Sequence, residues 1–228
     1  AGLLTAGILS TRRERLKNWY LVSLFVLALT LGGWACLAAY LSLDGRLSTP
    51  SFLGSWPAFW ITFIAPTFVL TPIILFRAYR DQTRKLIDHT PAYQFIAFQS
   101  LRVLAIGGIY KGLSGEFSLY YALLVGIPDF LYGLSGIFIT LKAKKQEISP
   151  TLLAAWHLVG AAIILPYGVV LLQMGLAGPW QVFTASPTIA TIFEYPIVLA
   201  PTVTVPIFVI VNLLVATRIA ERKFGLEW

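Results

Sequence analysis

The sequence predicts an all-α membrane protein, a polytopic helical bundle of six transmembrane helices with its N and C termini in the cytoplasm. Three observations favour this fold class: an apolar composition, six apolar runs of spanning length, and basic residues concentrated in alternate connections. The chain has 228 residues, of which 57% are hydrophobic and 12% charged, and its mean hydropathy is +0.78. A soluble domain needs much more surface charge than this. We therefore expect the bilayer to be the solvent.

The six apolar runs are each long enough to cross ~30 Å of hydrocarbon at a helical rise of ~1.5 Å per residue. Thr90-Pro91 and Ser149-Pro150 each place a capping hydroxyl before a proline at the first helical position, which favours two of the boundaries. We expect residues 1–228 to form a single membrane domain. The predicted spans are residues 18–41, 57–76, 91–110, 119–141, 151–172 and 194–217.

The positive charges lie almost entirely in alternate connections. Fourteen of the 17 lysines and arginines fall on one predicted side, Arg46 and Lys111 fall on the other, and Arg102 lies inside a run. Because basic residues stay on the cytoplasmic side, this asymmetry predicts the orientation. It also accounts for the formal charge of +7, so we expect no nucleic-acid partner. The fourteen are Arg12, Arg13, Arg15, Lys17, Arg77, Arg80, Arg84, Lys85, Lys142, Lys144, Lys145, Arg218, Arg222 and Lys223.

The connection between the last two runs differs from the others. Residues 175–193, GLAGPWQVFTASPTIATIF, carry no charge and are broken by glycine and proline. Such a segment cannot span, and its backbone needs protein or water partners at membrane depth. We expect a flap on the outer face of the bundle, or an interface with another subunit.

Two spans contain similar proline-bearing segments. Residues 64–73 read IAPTFVLTPI, and residues 199–207 read LAPTVTVPI. Each proline removes a backbone donor and clashes with the preceding turn, so both helices are expected to be kinked. Broken helices in corresponding halves are typical of transporter binding sites, although two kinked helices without a repeat explain the pattern equally well.

A charged residue lies near the middle of each of two consecutive spans. Arg102 lies about eleven residues into the third span, and Asp129 about ten residues into the fourth. Since a short connection makes these spans antiparallel neighbours, we expect the two side chains to meet near the midplane. Burial of either charge alone costs about 2.5 to 3.5 kcal/mol on insertion scales, so both should face the protein interior.

Further polar residues are expected to join this pair. Gln99 lies one turn before Arg102, and Tyr132 lies one turn after Asp129, on a face that also carries small residues and so permits close helix approach. The network formed by Arg102, Asp129, Gln99 and Tyr132 has two interpretations. It is either a proton or solute site, or a buried clamp that fixes helix pairing, and we favour the clamp. The face comprises Ala122, Gly126, Asp129, Tyr132, Gly133 and Gly136.

Three other polar residues in the apolar runs are weaker site candidates. His157 could ligate pigment magnesium or haem, but a hydrogen-bonded core histidine is the commoner outcome. Glu194 opens the last span, where a helix dipole favours an acidic side chain, and it could also contact a solute or partner. Asn212 lies deep in that span, where bonding between helices is favoured over substrate binding.

The sequence lacks the usual catalytic and metal-binding patterns. GxxxxGK[ST], HExxH and GxSxG do not occur, and the single cysteine, Cys36, excludes a disulfide framework. We therefore expect a protein that is not an enzyme, with no metal and no cofactor unless His157 binds pigment or haem.

Three segments resemble parts of small multi-pass bacterial membrane proteins with no assigned activity: AFQSLRVLAIGGIYKG, LLVGIPDFLYGLSG and FEYPIVLAPTVTVPIFVIVNLL. The shared elements are a Gln and an Arg in one span, a Gly-x-x-Asp element in the next, and a proline-spaced last span. The resemblance implies no activity, only that the Arg and the Asp belong to a shared architecture. The matching positions are Gln99, Arg102, Gly126, Asp129, Pro196, Pro201, Pro206 and Asn212.

Two functions from different classes remain open. The first is a non-catalytic accessory or scaffold subunit of a larger membrane complex, which fits the aromatic content, the uncharged flap and the small-residue faces. The second is a small oligomeric transporter or channel, proton-coupled through Asp129 and Arg102. The expected partners are membrane lipids together with protein subunits or further copies of the chain. The expected location is the bacterial inner membrane or a comparable energy-transducing membrane.

Overall fold

The computed structural model describes residues 16–54, 58–146 and 148–225, and only the backbone at 58 and 59. No strand occurs within these ranges, and the predicted all-α helical bundle is confirmed. Arg12, Arg13 and Arg15 lie outside the described residues. Seven longer helices form the bundle: α1 (Asn18–Leu43), α2 (Ile64–Leu75), α3 (Arg77–His89), α4 (Ala92–Leu113), α5 (Leu119–Ala143), α6 (Pro150–Gly175) and α7 (Ala200–Phe224).

Five of these helices, α1 and α4 to α7, are each long and apolar enough to cross a membrane. The second predicted span differs, because its helix ends at Leu75 and α3 leaves at an angle of 108°. Phe76 takes an extended conformation between the two helices (φ −117°, ψ 109°). The sequence RAYRDQTRKLIDH of α3 is too charged to continue into hydrocarbon, so the chain turns there. The described part of the chain therefore has five helices that are long and apolar enough to span, or six such segments when the bent pair counts as one.

The last helix begins and ends later than the sequence predicts. The expected span was 194–217, whereas α7 starts at Ala200 with a π-helical turn, Ala200–Thr204, and continues to Phe224. Residues 194–199 form turns that include a cis peptide bond before Pro196. A hydropathy run marks only where apolar residues begin, and here they begin in a turn.

The uncharged connection packs onto one end of the bundle, which we call the flap end. Its irregular part closes with a 3₁₀ turn, Ile189–Phe193, whose side chains at Ile189, Ile192 and Phe193 are buried. They pack against Trp34 and other apolar side chains in the largest described core cluster. The hydroxyl of Ser42 in α1 donates to the carbonyl of Phe193 at 2.7 Å. The flap therefore joins α1 to the rest of the bundle.

A proline in α7 creates a backbone acceptor that α1 uses. Pro206 has no N–H to offer the carbonyl of Thr202 one turn earlier, which leaves that oxygen without its helical donor. The indole Nε1 of Trp34 donates to this oxygen at 3.0 Å. A side chain from a neighbouring helix thus satisfies a backbone group freed by proline, as apolar surroundings require.

Ion pairs fix α3 against α7 at the opposite end, which we call the basic end. Arg84 donates to both carboxylate oxygens of Glu221, from Nη2 at 2.8 Å and from Nε at 3.1 Å. Arg218 makes a similar two-point contact with Asp88, at 2.5 and 2.9 Å. Paired donors of this kind add geometric specificity to the charge attraction. They hold the amphipathic α3 across the helix ends.

Candidate functional site

Glycines allow α4 and α5 to approach closely where the two buried charges lie. Arg102 occupies a 3₁₀ turn within α4, Ser100–Ala105, and its exposed fraction is 2%. Asp129 on α5 is 8% exposed. A methyl group added at Gly133 of α5 would overlap the backbone of Arg102 and Val103. The small-residue face inferred from sequence is therefore the contact surface that brings the two helices together.

Arg102 is held on three sides. Its Nε donates to Oδ1 of Asp129 at 2.5 Å, and its Nη2 forms an ion pair with the same oxygen. Its Nη1 donates to the carbonyl of Gly160 in α6 at 2.7 Å. Its guanidinium carbon lies 4.5 Å from the centre of the Tyr132 ring. The expected pair is present, and it ties α4 to both α5 and α6.

The side-chain oxygen of Asn212 accepts from two other helices. The hydroxyl of Tyr132 in α5 donates to Oδ1 at 3.2 Å, and Nδ1 of His157 in α6 lies 2.7 Å from the same atom. Because a carbonyl oxygen can only accept, this contact is a hydrogen bond in the tautomer that carries a proton on Nδ1. His157 and Asn212 are both fully buried. Their contact adds α7 to the polar core.

An aromatic layer covers Tyr132 on the α6 side. The indole of Trp156 stacks on the Tyr132 ring, with centroids 4.4 Å apart and planes inclined by 19°. Its Nε1 donates to the hydroxyl of Ser135 at 3.0 Å. Trp156 also meets the His157 ring edge-on at 5.0 Å. These contacts fix the ring over which the guanidinium of Arg102 lies.

Gln99 belongs to the core but not in the expected way. Its Nε2 donates to the carbonyl of Phe208 in α7 at 3.0 Å, and the side chain is fully buried. The sequence suggested a partner of Arg102 and Asp129, whereas the described hydrogen bond joins α4 directly to α7. The one-turn spacing predicts a shared face, but Phe208 is distant in sequence and could not be foreseen.

Several buried polar atoms around the core have no hydrogen-bond partner among the described residues. They include Nη2 of Arg102, Oε1 of Gln99, Nε2 of His157 and Nδ2 of Asn212. An unpaired buried donor or acceptor costs about 1 to 3 kcal/mol. The core therefore retains hydrogen-bonding capacity beyond its internal contacts.

Glu194 lies apart from the helix that it was expected to begin. It is exposed and follows the turn Ile189–Phe193, and α7 starts six residues later at Ala200. The interpretation as an acidic residue at the helix N-terminus is therefore wrong. Its backbone carbonyl instead accepts from the N–H of Val198 at 2.9 Å within a turn.

The residues available to a metal or cofactor are few in the described ranges. They contain no group of three or more His, Cys, Asp or Glu side chains placed to hold a metal ion. Nε2 of His157 is the imidazole atom that a pigment or haem would need, and it is buried beside Trp156 and Asn212. The expectation of no cofactor, with His157 as the one residue that could bind pigment or haem, stays a prediction.

Sequence reasoning treated Asn212 and His157 as separate candidates, and it missed Gly160 entirely. The structure joins all three to the charged pair, within one core of four helices. The similar depths of these residues in successive spans could have suggested that they lie close together. Depth alone does not predict which faces of the helices are in contact.

Comparisons with family models, with curated proteins and with solved structures find no match to this chain. The resemblance to small multi-pass bacterial membrane proteins stays a prediction. Any function must therefore be argued from the chain's own geometry.

Proposed function

We propose that this protein is a non-catalytic integral membrane protein, an accessory or scaffold subunit of a larger complex, with cytoplasmic termini in a bacterial inner membrane or comparable energy-transducing membrane. The observation that carries the proposal is a glycine-bearing face of α1 that no other part of the described chain covers. The polar core supplies a rigid bundle, and α1 supplies the surface that a partner helix contacts.

The open face of α1 has the composition of a helix-packing surface. A methyl group added at Gly32 or Gly33 would meet no atom within 4 Å outside the local helix backbone. Leu29, Cys36 and Tyr40 are exposed nearby on α1. Small residues let helix backbones approach closely in membranes, where packing rather than hydrophobic exclusion drives association. This face therefore fits a partner helix.

The burial of α1 supports the same interpretation. Among the five described spans, α1 buries only 6% of its most apolar window, against 22% to 44% for the other four. Trp34 and Ser42 attach it to α7 and the flap, through 3.0 and 2.7 Å hydrogen bonds. Near its other end, the hydroxyl of Tyr20 forms a buried hydrogen bond with that of Thr83 in α3 at 3.0 Å. A helix held near both ends, with an open glycine face between them, is suited to receive a neighbour.

The arrangement of the polar core supports a structural role for its charges. Arg102 donates from Nε to Asp129 and from Nη1 to the carbonyl of Gly160, and its planar face lies over Tyr132. A buried ion pair with additional hydrogen bonds offsets part of the cost of removing two charges from water. The pair then acts as a clamp that specifies which helix faces meet.

The test is extraction of the protein from its native membrane in a mild detergent, followed by native electrophoresis. We expect the parent to migrate with a larger assembly. Gly33→Leu should release it, because the new side chain fills the open face without touching the rest of the chain. Gly107→Leu on α4 is the matched control, since that glycine also has no neighbour within 4 Å.

The native cysteine allows the contact itself to be examined. Cys36 is exposed and is the only cysteine in the chain. A short bifunctional crosslinker at Cys36 should join the parent to its partner, and Gly33→Leu should abolish that product. Migration of the parent as a lone small oligomer, with no heterologous product, would contradict the subunit proposal.

A specific observation favours the alternative, a small oligomeric transporter or channel coupled to protons through Asp129 and Arg102. Two spans contain π-helical turns, at Ala122–Gly126 and Ala200–Thr204. A third span is kinked within Ile163–Gly168, where Leu165 has an extended backbone (φ −123°, ψ 109°), and this kink contacts the turn at Ala122–Gly126. Irregular helix turns near membrane depth often accompany binding sites. The unpartnered atoms of His157 and Asn212 are consistent with a solute or proton site.

Reconstitution into liposomes separates the alternative from the subunit proposal. If the protein transports protons, a pH-sensitive dye inside the vesicles will report flux from the parent. Asp129→Asn will then abolish that flux while the purified variant keeps the parent's unfolding midpoint. The subunit proposal expects no flux from the parent above that of empty vesicles.

A further inference from the structure

The basic end of the bundle contains a cleft of about 670 Å³ between the ends of four helices. Asp88 from α3, Ala92 from α4 and Thr151 from α6 line it, together with Arg222 and Lys223 from α7. The cleft therefore lies at the level where the apolar parts of the helices give way to charged residues.

The charges that line the cleft are unevenly neutralised. Arg218 is engaged by the carboxylate of Asp88 at 2.5 Å and that of Glu221 at 2.8 Å. Arg222 approaches Asp88 only at 3.6 Å and its side chain is 65% exposed, and Lys223 donates to the neutral hydroxyl of Thr151 at 2.7 Å. Two cations thus remain available to an anion at the rim.

An apolar groove of about 370 Å³ adjoins the cleft. It runs between α1 on one side and α4 and α7 on the other, and Ala28, Phe98 and Val211 are among its lining residues. Ile87 and Phe95 line both the groove and the cleft, so the two spaces meet at these side chains. A ligand that occupies both needs a negative head and a hydrocarbon tail.

We propose that the cleft and groove form one binding site for an anionic phospholipid. The phosphate of the headgroup contacts Arg222 and Lys223, and one acyl chain lies in the groove between α1 and α7. Basic pockets at helix ends attract acidic headgroups, and basic residues near the surface each strengthen that attraction. A soluble anion would leave the groove unused, and a neutral lipid would leave the cations unused. The site does not depend on the partner surface of α1.

The test is native mass spectrometry of the purified protein, titrated with phosphatidylglycerol and with phosphatidylcholine of identical acyl chains. We expect preferential binding of phosphatidylglycerol. Arg222→Gln combined with Lys223→Gln should weaken that binding roughly tenfold, because two headgroup contacts are lost. Lys142→Gln combined with Lys145→Gln is the matched control: it removes the same charge from exposed positions outside the cleft and should bind as the parent does.

A second pair of variants examines the groove. Ala28→Phe introduces an aromatic ring into the groove, and it should reduce phosphatidylglycerol binding without changing the unfolding midpoint. Val22→Phe makes a similar change at an exposed position of α1, away from Gly32 and Gly33, that does not line the groove, and it should bind normally. Inorganic phosphate, supplied in place of lipid, should not compete at equal concentration.

Three outcomes would overturn the proposal: equal binding of the two lipids, equal weakening by the Lys142 and Lys145 control, or full competition by inorganic phosphate. The first two would mean that surface charge alone attracts lipid, and the third that the cleft takes a free anion. None of them bears on whether the protein joins a larger complex, because all measurements use the isolated chain.

Discussion

At Asn212, one side-chain oxygen serves donors from two other helices. The hydroxyl of Tyr132 and the imidazole of His157 both reach it, at 3.2 and 2.7 Å. Tyr132 also stacks against Trp156, and its ring lies under the guanidinium of Arg102. The Tyr132 side chain therefore contacts both Asn212 of α7 and the charged pair. A single buried amide therefore fixes the relative positions of three helices.

The close approach at Gly160 can be tested by adding one methyl group. A Cβ there would overlap the Tyr132 ring and lie 2.6 Å from Nδ2 of Asn212. We expect Gly160→Ala to lower the free energy of unfolding by about 1 to 3 kcal/mol, because a packed core has no room for the added volume. Reversible unfolding in mixed detergent and SDS micelles measures it.

The control for Gly160→Ala is Gly108→Ala on α4, where an added Cβ meets no atom within 4 Å. This change should leave stability unchanged or raise it by up to about 1 kcal/mol, since alanine favours helix over glycine. Equal effects of the two substitutions would mean that close packing at Gly160 is not what limits stability.

The bend between α2 and α3 shows what hydropathy predicts and what it does not. The apolar run ends within a residue of Leu75, where the helix ends. The direction of α3 depends on ion pairs with α7, between Arg84 and Glu221 and between Asp88 and Arg218. These partners are more than a hundred residues apart in sequence, so no local pattern could reveal them.

The contact between α3 and α7 has a direct test in Glu221→Gln. Glu221 is 7% exposed and accepts from both Arg84 and Arg218. Loss of its charge leaves two arginines with weaker partners, and we expect a loss of about 1.5 to 3 kcal/mol in unfolding free energy. Limited proteolysis should also cut faster near Phe76, because α3 is held less firmly.

An exposed ion pair provides the comparison for Glu221→Gln. Arg46 and Asp44 are paired at 2.6 Å, but their side chains are 65% and 42% exposed. Asp44→Asn should change stability by no more than about 1 kcal/mol, as is usual for surface pairs. If Asp44→Asn destabilises the protein as much as Glu221→Gln does, the ion pairs of Glu221 contribute no more to the unfolding free energy than an exposed pair.

Across the whole molecule, the sequence predicts the fold class better than the pairing of its helices. Composition and run length identify the helical bundle, because both report directly on the hydrocarbon solvent. Arg102 and Asp129 could be paired from depth and adjacency. The roles of Gly160, Asn212 and Phe208 depend on how α6 and α7 pack against that pair. The rotation of each helix about its own axis determines which residues face the pair, and it depends on all contacts between the helices.

The proposed function depends on the arrangement of the whole molecule. We base the proposed subunit role on a bundle whose buried charges join its own helices and on a first helix with an open glycine face. The partner surface and the lipid site lie on different parts of the molecule. One uses the glycine face of α1, and the other uses the ends of α3, α4, α6 and α7 together with the side of α1 that lines the groove.

The measurement that tests the clamp most directly is a double-mutant cycle of unfolding free energies on Arg102 and Asp129. We expect Asp129→Asn and Arg102→Gln each to cost about 3 to 5 kcal/mol, because each strands a buried charge. The double variant should cost clearly less than the sum of the two, which gives a favourable coupling energy. Single variants that unfold like the parent, with no coupling between them and with loss of proton flux in liposomes, would contradict the clamp.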